Sequence, residues 1–278
     1  QFFGLLGPNG AGKTTAISIT TGLVRITSGS VRVFGYDVVR QFRQARRYIG
    51  LAPQELNFDW FFSIEELIIL QAGYYGVSRQ TARVRTDQLL KEFGLAEKRN
   101  VKPRELSGGQ KRRLQIARAL VHDPDVLILD EPTAGVDVEL RYQLWEYLTQ
   151  QNQAGKTIIL TTHYIEEAEK LCERVAIIDH GQIITEDSPA ELIAQMGKDG
   201  ISLTVTGWND RTGQALKDYP HHFADGHVRV TTAKPELQLA EVVNRIAASG
   251  AVVQDVKIER ATLEDVFIEL TGRSIDDT

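Results

Sequence analysis

Cysteine is almost missing from this chain, and so are long apolar stretches. Cys172 is the only cysteine among 278 residues, which excludes an intramolecular disulfide and any zinc site built on cysteines and suits a reducing compartment. It reads as a buried thiol. No uninterrupted apolar run approaches the roughly 18 to 20 residues that cross a bilayer as a helix. Nor does the start of the chain carry a basic segment followed by an apolar one, so any membrane role has to come through a partner. A basic excess is missing too: the formal net charge is -5, which disfavours nucleic acid as a main partner. Internal repeats and low-complexity tracts are absent. What remains is the composition of an ordinary globular protein, with 25% charged residues, and a length that accommodates one substantial core plus a smaller second unit.

Short apolar runs at Phe2–Leu6, Tyr48–Ala52, Val126–Leu129, Thr157–Thr161 and Val175–Ile178 alternate with helix-like segments. That is the pattern of a largely parallel sheet covered on both faces, an α/β fold. Because Phe2–Leu6 already reads as a buried strand, further elements are expected ahead of it in the full protein. Between residues 59 and 121 the strand signal vanishes. Amphipathic stretches at Ile64–Tyr75 and Thr81–Phe93, and a long helix starting near Ser107, predict a helical subdomain inserted into the sheet. After a helix over Pro189–Met196, Gly197-Lys198-Asp199-Gly200 reads as a linker, placing one domain at residues 1–196 and a second at 201–278. The second is expected to run strand Ile201–Thr206, helix Thr212–Tyr219, a hairpin turning at Asp225-Gly226, helix Pro235–Ser249, strand Val252–Glu259 and helix Leu263–Leu270. This is the order of an α+β split βαβ, ferredoxin-like sandwich with an added helix.

Gly7-Pro8-Asn9-Gly10-Ala11-Gly12-Lys13-Thr14 has the spacing of a phosphate-binding P-loop and stands between a buried strand and a helix, where the chemistry requires it. Its glycines let the backbone curl so that successive N–H groups point at an anion, and the helix beginning near Lys13 adds the positive end of its dipole. Lys13 is positioned to neutralise the β- and γ-phosphates of ATP, and the Thr14 hydroxyl to ligate Mg2+. The competing structural reading is a Gly-rich turn with a chance lysine. Val126-Leu127-Ile128-Leu129-Asp130-Glu131 ends a buried strand in two acids, at the edge of a parallel sheet where such folds bind ligands. Asp130 is expected to hold the metal through water and Glu131 to deprotonate the attacking water; a solvated acid pair at a strand end is the plainer alternative. Leu106-Ser107-Gly108-Gly109-Gln110 opens a helix with Ser107 as N-cap and exposes backbone N–H groups at its positive end. That makes it a second anion site or, taken alone, an ordinary cap.

Together the P-loop, Ser107–Gln110, Asp130-Glu131 and His163 closely resemble the ABC ATPase family. The resemblance covers residues 1 to about 196 and implies a P-loop NTPase fold with a mixed, mainly parallel sheet and the inserted helical subdomain. It implies that Gly7, Pro8, Asn9, Gly10, Ala11, Gly12, Lys13, Thr14 and Thr15 contact ATP, and that Ser107, Gly108, Gly109 and Gln110 press on nucleotide held by a second copy of the chain, head to tail. By the same resemblance Gln54, in Ala52-Pro53-Gln54-Glu55, links the Mg2+ site to the helical subdomain and joins Thr14 and Asp130 around the metal. Asp137 lies at the dimer seam, and His163 is a switch residue at the γ-phosphate. Read singly, Gln54 fits loop filler, Asp137 a helix N-cap and His163 a helix start. Family members stack adenine on an aromatic ring from a segment ahead of the strand that precedes the P-loop. This chain is expected to begin after that point, with Phe2 and Phe3 as core residues.

The C-terminal run Glu259-Arg260-Ala261-Thr262-Leu263-Glu264-Asp265-Val266-Phe267, with Leu270-Thr271-Gly272 behind it, is similar to the tail of exporter subunits that pair with separate ABC-2 type permeases, of the daunorubicin or polysaccharide kind. That implies an integral membrane permease as partner and a peripheral location on the cytoplasmic face of the membrane. Asn57, Asp59, Trp60, Phe61 and Phe62 are then candidates to dock the permease, with burial in the helical subdomain as the equal alternative. Two other readings compete: a soluble ABC ATPase of DNA repair or translation, and a nucleotide-binding regulator without turnover. The first lacks its heptad-rich coiled coil, cysteine zinc module and tandem ATPase unit. The second is disfavoured by the intact Glu131, His163 and Ser107–Gln110.

Overall fold

The computed structural model describes residues 1–196, 199–273 and Ile275. It divides into two compact units, one of Gln1–Pro189 with Ile275 and the other beginning at Ala190. The first unit runs β1 (Phe2–Leu6), α1 (Lys13–Thr20), β2 (Arg32–Val33), β3 (Tyr36–Asp37), α2 (Phe42–Arg47), β4 (Ile49–Ala52), α3 (Ile64–Tyr74) and α4 (Arg79–Glu92). It continues with α5 (Gly108–Leu120), β5 (Val126–Asp130), α6 (Val138–Gln153), β6 (Thr157–Thr161), α7 (Ile165–Leu171), β7 (Arg174–Asp179) and β8 (Gln182–Asp187). Its main sheet has the order β4-β5-β6-β1-β7-β8, parallel except for the β7–β8 pair. Leu127, Ile128 and Leu129 in β5 and Val175, Ala176 and Ile177 in β7 are at most 1% exposed, as expected for parallel strands covered on both faces.

The helical subdomain is set by its caps. Ser63 and Glu66 form a reciprocal capping box at the start of α3, Ser78 caps α4, and Ser107 with Gln110 caps α5, satisfying N–H groups that a helix start leaves open. Against the sheet, Ile17 of α1 packs with Val33, Val38, Ala45, Ile49 and Ile128, which sets the helix that follows the P-loop against the β4 and β5 side of the sheet.

The second unit contains α8 (Pro189–Met196) from Ala190 onward, then β9 (Gly200–Thr206), α9 (Asp210–Ala215), β10 (His221–Ala224), β11 (His227–Thr231), α10 (Pro235–Ala248), β12 (Val252–Glu259) and α11 (Leu263–Thr271). Its sheet order β10-β11-β9-β12 is antiparallel throughout, the arrangement of a split βαβ fold. Ile201, Leu203, Val205, Val228 and Val230 face Val242 and Ile246 of α10 in its core. Asp225 and Gly226 both take positive φ at the β10–β11 turn, the backbone a tight hairpin needs.

Several expectations shift. Strand β4 begins at Ile49 rather than Tyr48, because Tyr48 is the C-cap of α2. Helix α4 starts at Arg79, behind the Ser78 cap. Helix α9 lies at Asp210–Ala215 rather than Thr212–Tyr219, because Asn209 accepts from the N–H groups of Arg211 and Thr212 and starts the helix early. The β2–β3 hairpin, α2 and the antiparallel β8 lie outside the expected elements. Of the expected linker, Gly197 and Lys198 lie outside the described residues and Gly200 already opens β9. The division into units falls at Pro189, so α8 groups with the second unit.

Candidate active site

Four parallel strands deliver the site at their C-terminal ends. The P-loop follows β1, Gln54 follows β4, Asp130 ends β5 and His163 follows β6. Gly10 and Gly12 have φ of +78° and +108°, a conformation that costs a side chain dearly and glycine little. At Gly7 the limit is space, since a Cβ there would lie 2.4 Å from the Ile178 carbonyl oxygen. Lys13 is buried. Its Nζ donates to the carbonyls of Gly7 at 2.6 Å and Pro8 at 3.1 Å, so it folds back across the loop. Burial lowers its affinity for a proton below the usual lysine value, and the carboxylates of Glu131 and Asp130 pull it partly back.

Asp130 is 3% exposed. It accepts from Thr14 Oγ1 at 3.3 Å on Oδ2 and from the Thr161 hydroxyl on Oδ1. Glu131 stands next to it with φ +50°, a left-handed backbone that costs a non-glycine residue about 1–3 kcal/mol and persists only where the surroundings hold it. The holding contacts come from Thr161, which accepts the Glu131 N–H on its carbonyl at 3.0 Å and on its hydroxyl at 3.2 Å. On the side-chain end, Gln54 Nε2 donates to Glu131 Oε2 at 2.9 Å, and His163 Nδ1 lies 3.4 Å from the same oxygen. Lys13, Thr14, Gln54, Asp130, Glu131 and His163 are therefore brought together, and the oxygens of Thr14 and Asp130 are the hard donors that a magnesium ion takes.

The remaining expected residues are elsewhere. Ser107 accepts from the Gln110 N–H at 3.3 Å and its own N–H donates to Gln110 Oε1 at 3.0 Å. Asp137 caps α6 through the Leu140 N–H at 2.9 Å. A Cβ on Gly109 would come within 2.8 Å of Leu140 Cδ2, so the opening of α5 lies against α6. Among the described residues no hydrogen bond joins Ser107–Gln110 to the P-loop. Of the aromatic cluster, Trp60, Phe61 and Phe62 are 46%, 84% and 38% exposed while Phe58 is buried.

Three supporting residues went unnoticed in the sequence. Arg112 donates to the Pro53 carbonyl at 3.1 Å and to Gln115 Oε1 at 2.8 Å, and Gln115 Nε2 donates to the Glu55 carbonyl at 2.7 Å. Helix α5 thereby grips the backbone on both sides of Gln54. The available signal was Gln115 itself, a polar residue 1% exposed within an apolar helical run. Thr161, the third, carried no signal beyond its place at a strand end.

A strand–Gly-rich-loop–helix phosphate cradle, with an acid pair at the end of β5, one strand removed from β1 in the sheet, and a helical subdomain inserted between β4 and β5, defines a P-loop ATPase of the ATP-binding cassette kind. Comparison with known proteins agrees: residues 1–134 match the family model described as ABC transporter. The chain is 36% identical to the linearmycin resistance ATP-binding protein LnrL of Bacillus subtilis (strain 168), over 100% of this chain and 91% of that protein. It is 40% identical to a Nod factor export ATP-binding protein I of Burkholderia thailandensis, over 100% and 90%. A solved structure described as an ATP binding subunit of an ABC transporter superposes with a TM-score of 0.66 at 29% identity, over 70% of this chain and 81% of that one. Another, of the cassette MJ0796 in a dimeric post-hydrolysis state bound to ADP and Pi, gives 0.63 at 29%, over 68% and 85%. This chain belongs to the ABC transporter ATP-binding protein family. It binds and hydrolyses ATP as the ATPase subunit of a transporter.

Proposed function

We propose that this subunit works as a pair of identical copies that clamp two ATP molecules between them and drive export through a separate integral membrane permease of the ABC-2 type. The observation that carries the reading is the convergence of Gln54 and His163 on one oxygen of Glu131, beside the Thr14–Asp130 pair and Lys13. In this reading the N–H groups of Gly10–Thr15 and the Lys13 ammonium bind the phosphates. Glu131 takes the proton from the attacking water, Gln54 orients that carboxylate, and His163 senses the terminal phosphate. Thr14 and Asp130, with Gln54 nearby, are the residues to hold Mg2+, which supplies neutralisation of phosphate charge when bound. Ser107, Gly108, Gly109 and Gln110 of a second copy complete each site, with Asp137 at the seam. This fits their lack of contact with their own P-loop and the dimeric form described for a related cassette.

Export is supported by the names of the relatives, which belong to Nod factor export and linearmycin resistance. Among the described residues no helix is long and apolar enough to cross a membrane, so attachment to the cytoplasmic face falls to the permease. The exposed Trp60, Phe61 and Phe62, with Asn57 and Asp59, form the docking surface, and the unit from Ala190 is an accessory domain. The test is the mass of a Glu131→Gln protein by light scattering at saturating Mg–ATP, together with affinity capture from membranes. A dimer that captures a polytopic permease supports the proposal; a protein that stays monomeric, or captures only ribosomes or DNA, removes it.

A further inference from the structure

Behind Glu131 lies a second carboxylate that the reaction as described does not use. Glu167, on α7, is 0% exposed. Its Oε1 accepts from the Thr133 hydroxyl and from Trp145 Nε1, the latter at 3.1 Å, while its Oε2 has no hydrogen-bond partner among the described residues. Withdrawing a carboxylate from water is costly unless its partners repay it. The partners here stand on two separate segments: Thr133 two residues past Glu131, and Trp145 in α6, the helix that Asp137 caps.

We infer that Glu167 is a positioning residue, fixing the distance between Glu131 and His163 by tying the segment behind one to the helix behind the other. The connection forms a closed ring. From Glu131 the chain passes through Pro132 to Thr133, crosses to Glu167, returns along the first turn of α7, where the Glu167 N–H donates to the Tyr164 carbonyl at 3.0 Å, and reaches His163. His163 Nδ1 closes the ring on Glu131 Oε2 at 3.4 Å. A parallel strut supports it: the Arg141 guanidinium of α6 lies 4.4 Å from the centre of the Tyr164 ring, which itself meets the His163 ring at 4.1 Å. Thr161 already holds the Glu131 backbone to the end of β6; the Glu167 link adds the tie between the segment that follows Glu131 and the helix that follows His163. The inference rests on the assignment of Glu131 and His163 proposed above.

The test compares ATP turnover and nucleotide affinity in Glu167→Met, which removes both acceptors, Thr133→Val, which removes only the hydroxyl, their double variant, and Glu167→Gln, which keeps an acceptor oxygen. Small misplacements of reacting groups cost up to about 100-fold in rate, so Glu167→Met and Thr133→Val should each lose roughly 10- to 100-fold in kcat with unchanged Kd for ATP. The double variant should lose no more than the worse single one, and Glu167→Gln should recover most of the turnover. Thr133→Val keeps the comparison available if Glu167→Met does not fold. Unchanged kcat per folded molecule, losses that multiply, affinity falling in step with kcat, or no recovery by Glu167→Gln would each overturn the positioning role. A Glu131→Gln control separates the two levels: if it turns over like the parent, the assignment of Glu131 fails and the inference with it, whereas a dead control leaves the Glu167 outcomes to decide.

Discussion

Gln54 and Glu131, 77 positions apart in the chain, share a hydrogen bond of 2.9 Å from the amide Nε2 to the carboxylate Oε2. That contact puts the loop after β4 in register with the end of β5 and leaves the second Glu131 oxygen free of Gln54. Glu131→Gln preserves shape and leaves Lys13, Thr14 and Asp130 in place. It should therefore keep ATP affinity while lowering kcat by about 10² to 10⁴, the usual worth of a general base. Single-turnover hydrolysis beside equilibrium nucleotide binding checks this; a variant that loses binding and rate together would mean that Glu131 supports the cradle rather than the chemistry.

Lys13 makes the opposite prediction. Its ammonium satisfies the carbonyls of Gly7 and Pro8 and is the cation nearest the helix start at the P-loop. Lys13→Ala removes the charge meant for the phosphates and strips two carbonyls of their donor. Loss of a charge-assisted hydrogen bond costs about 1.5–3 kcal/mol, so nucleotide affinity should fall by at least about tenfold. Fluorescent-nucleotide titration measures it, and unchanged affinity would refute the cradle.

The legibility of these parts in the sequence follows from how local their chemistry is. The P-loop and the Val126–Glu131 strand carry their glycines, lysine and acids within a few consecutive residues, so spacing alone exposed them. Ser107 was readable as an N-cap because its partner Gln110 is three residues away. Gln115 was marked only as a polar residue in an apolar run and Arg112 not at all, because what they hold, Glu55 and Pro53, lies 60 and 59 positions off. Glu167 is one of several acids on α7, and the groups it pairs with, Thr133 and Trp145, lie 34 and 22 positions away. Antiparallel β8 was hidden for another reason: it is mostly exposed, Ile183 and Ile184 included, and lacks the continuous apolar run that marks the parallel strands.

The grip of α5 on the Gln54 loop is itself testable. Gln115→Leu fits the apolar surroundings but leaves the Glu55 carbonyl and the Arg112 guanidinium each one partner short. An unsatisfied buried polar group costs about 1–3 kcal/mol. The variant should lose that much stability in urea unfolding and also turnover, because the loop carrying Gln54 loosens. A variant that loses stability while keeping full turnover per folded molecule would show that α5 supports the fold and not the site.

His122 makes stability depend on pH. It follows α5, its ring lies face to face on Tyr75 at 3.6 Å, its Nε2 pairs with the Ile49 carbonyl at 3.0 Å, and its Nδ1 is buried without a partner among the described residues. Burial lowers its pKa from 6.5 to about 4, outweighing the help of that carbonyl, with Arg85 and Lys156 also opposing protonation and Asp123 favouring it. The unfolded chain therefore binds a proton that the folded chain refuses between pH 6.5 and about 4. Stability from this group is complete above the unfolded pKa and drains away as the pH falls towards the folded one. Between pH 7 and pH 5 the loss comes to about 2 kcal/mol. His122→Phe keeps the stacked ring and cannot titrate, so its unfolding free energy should drop by about 2 kcal/mol less than the parent's over the same interval. Urea unfolding of both proteins at the two pH values checks it. Equal drops would mean that the ring takes its proton within the folded protein.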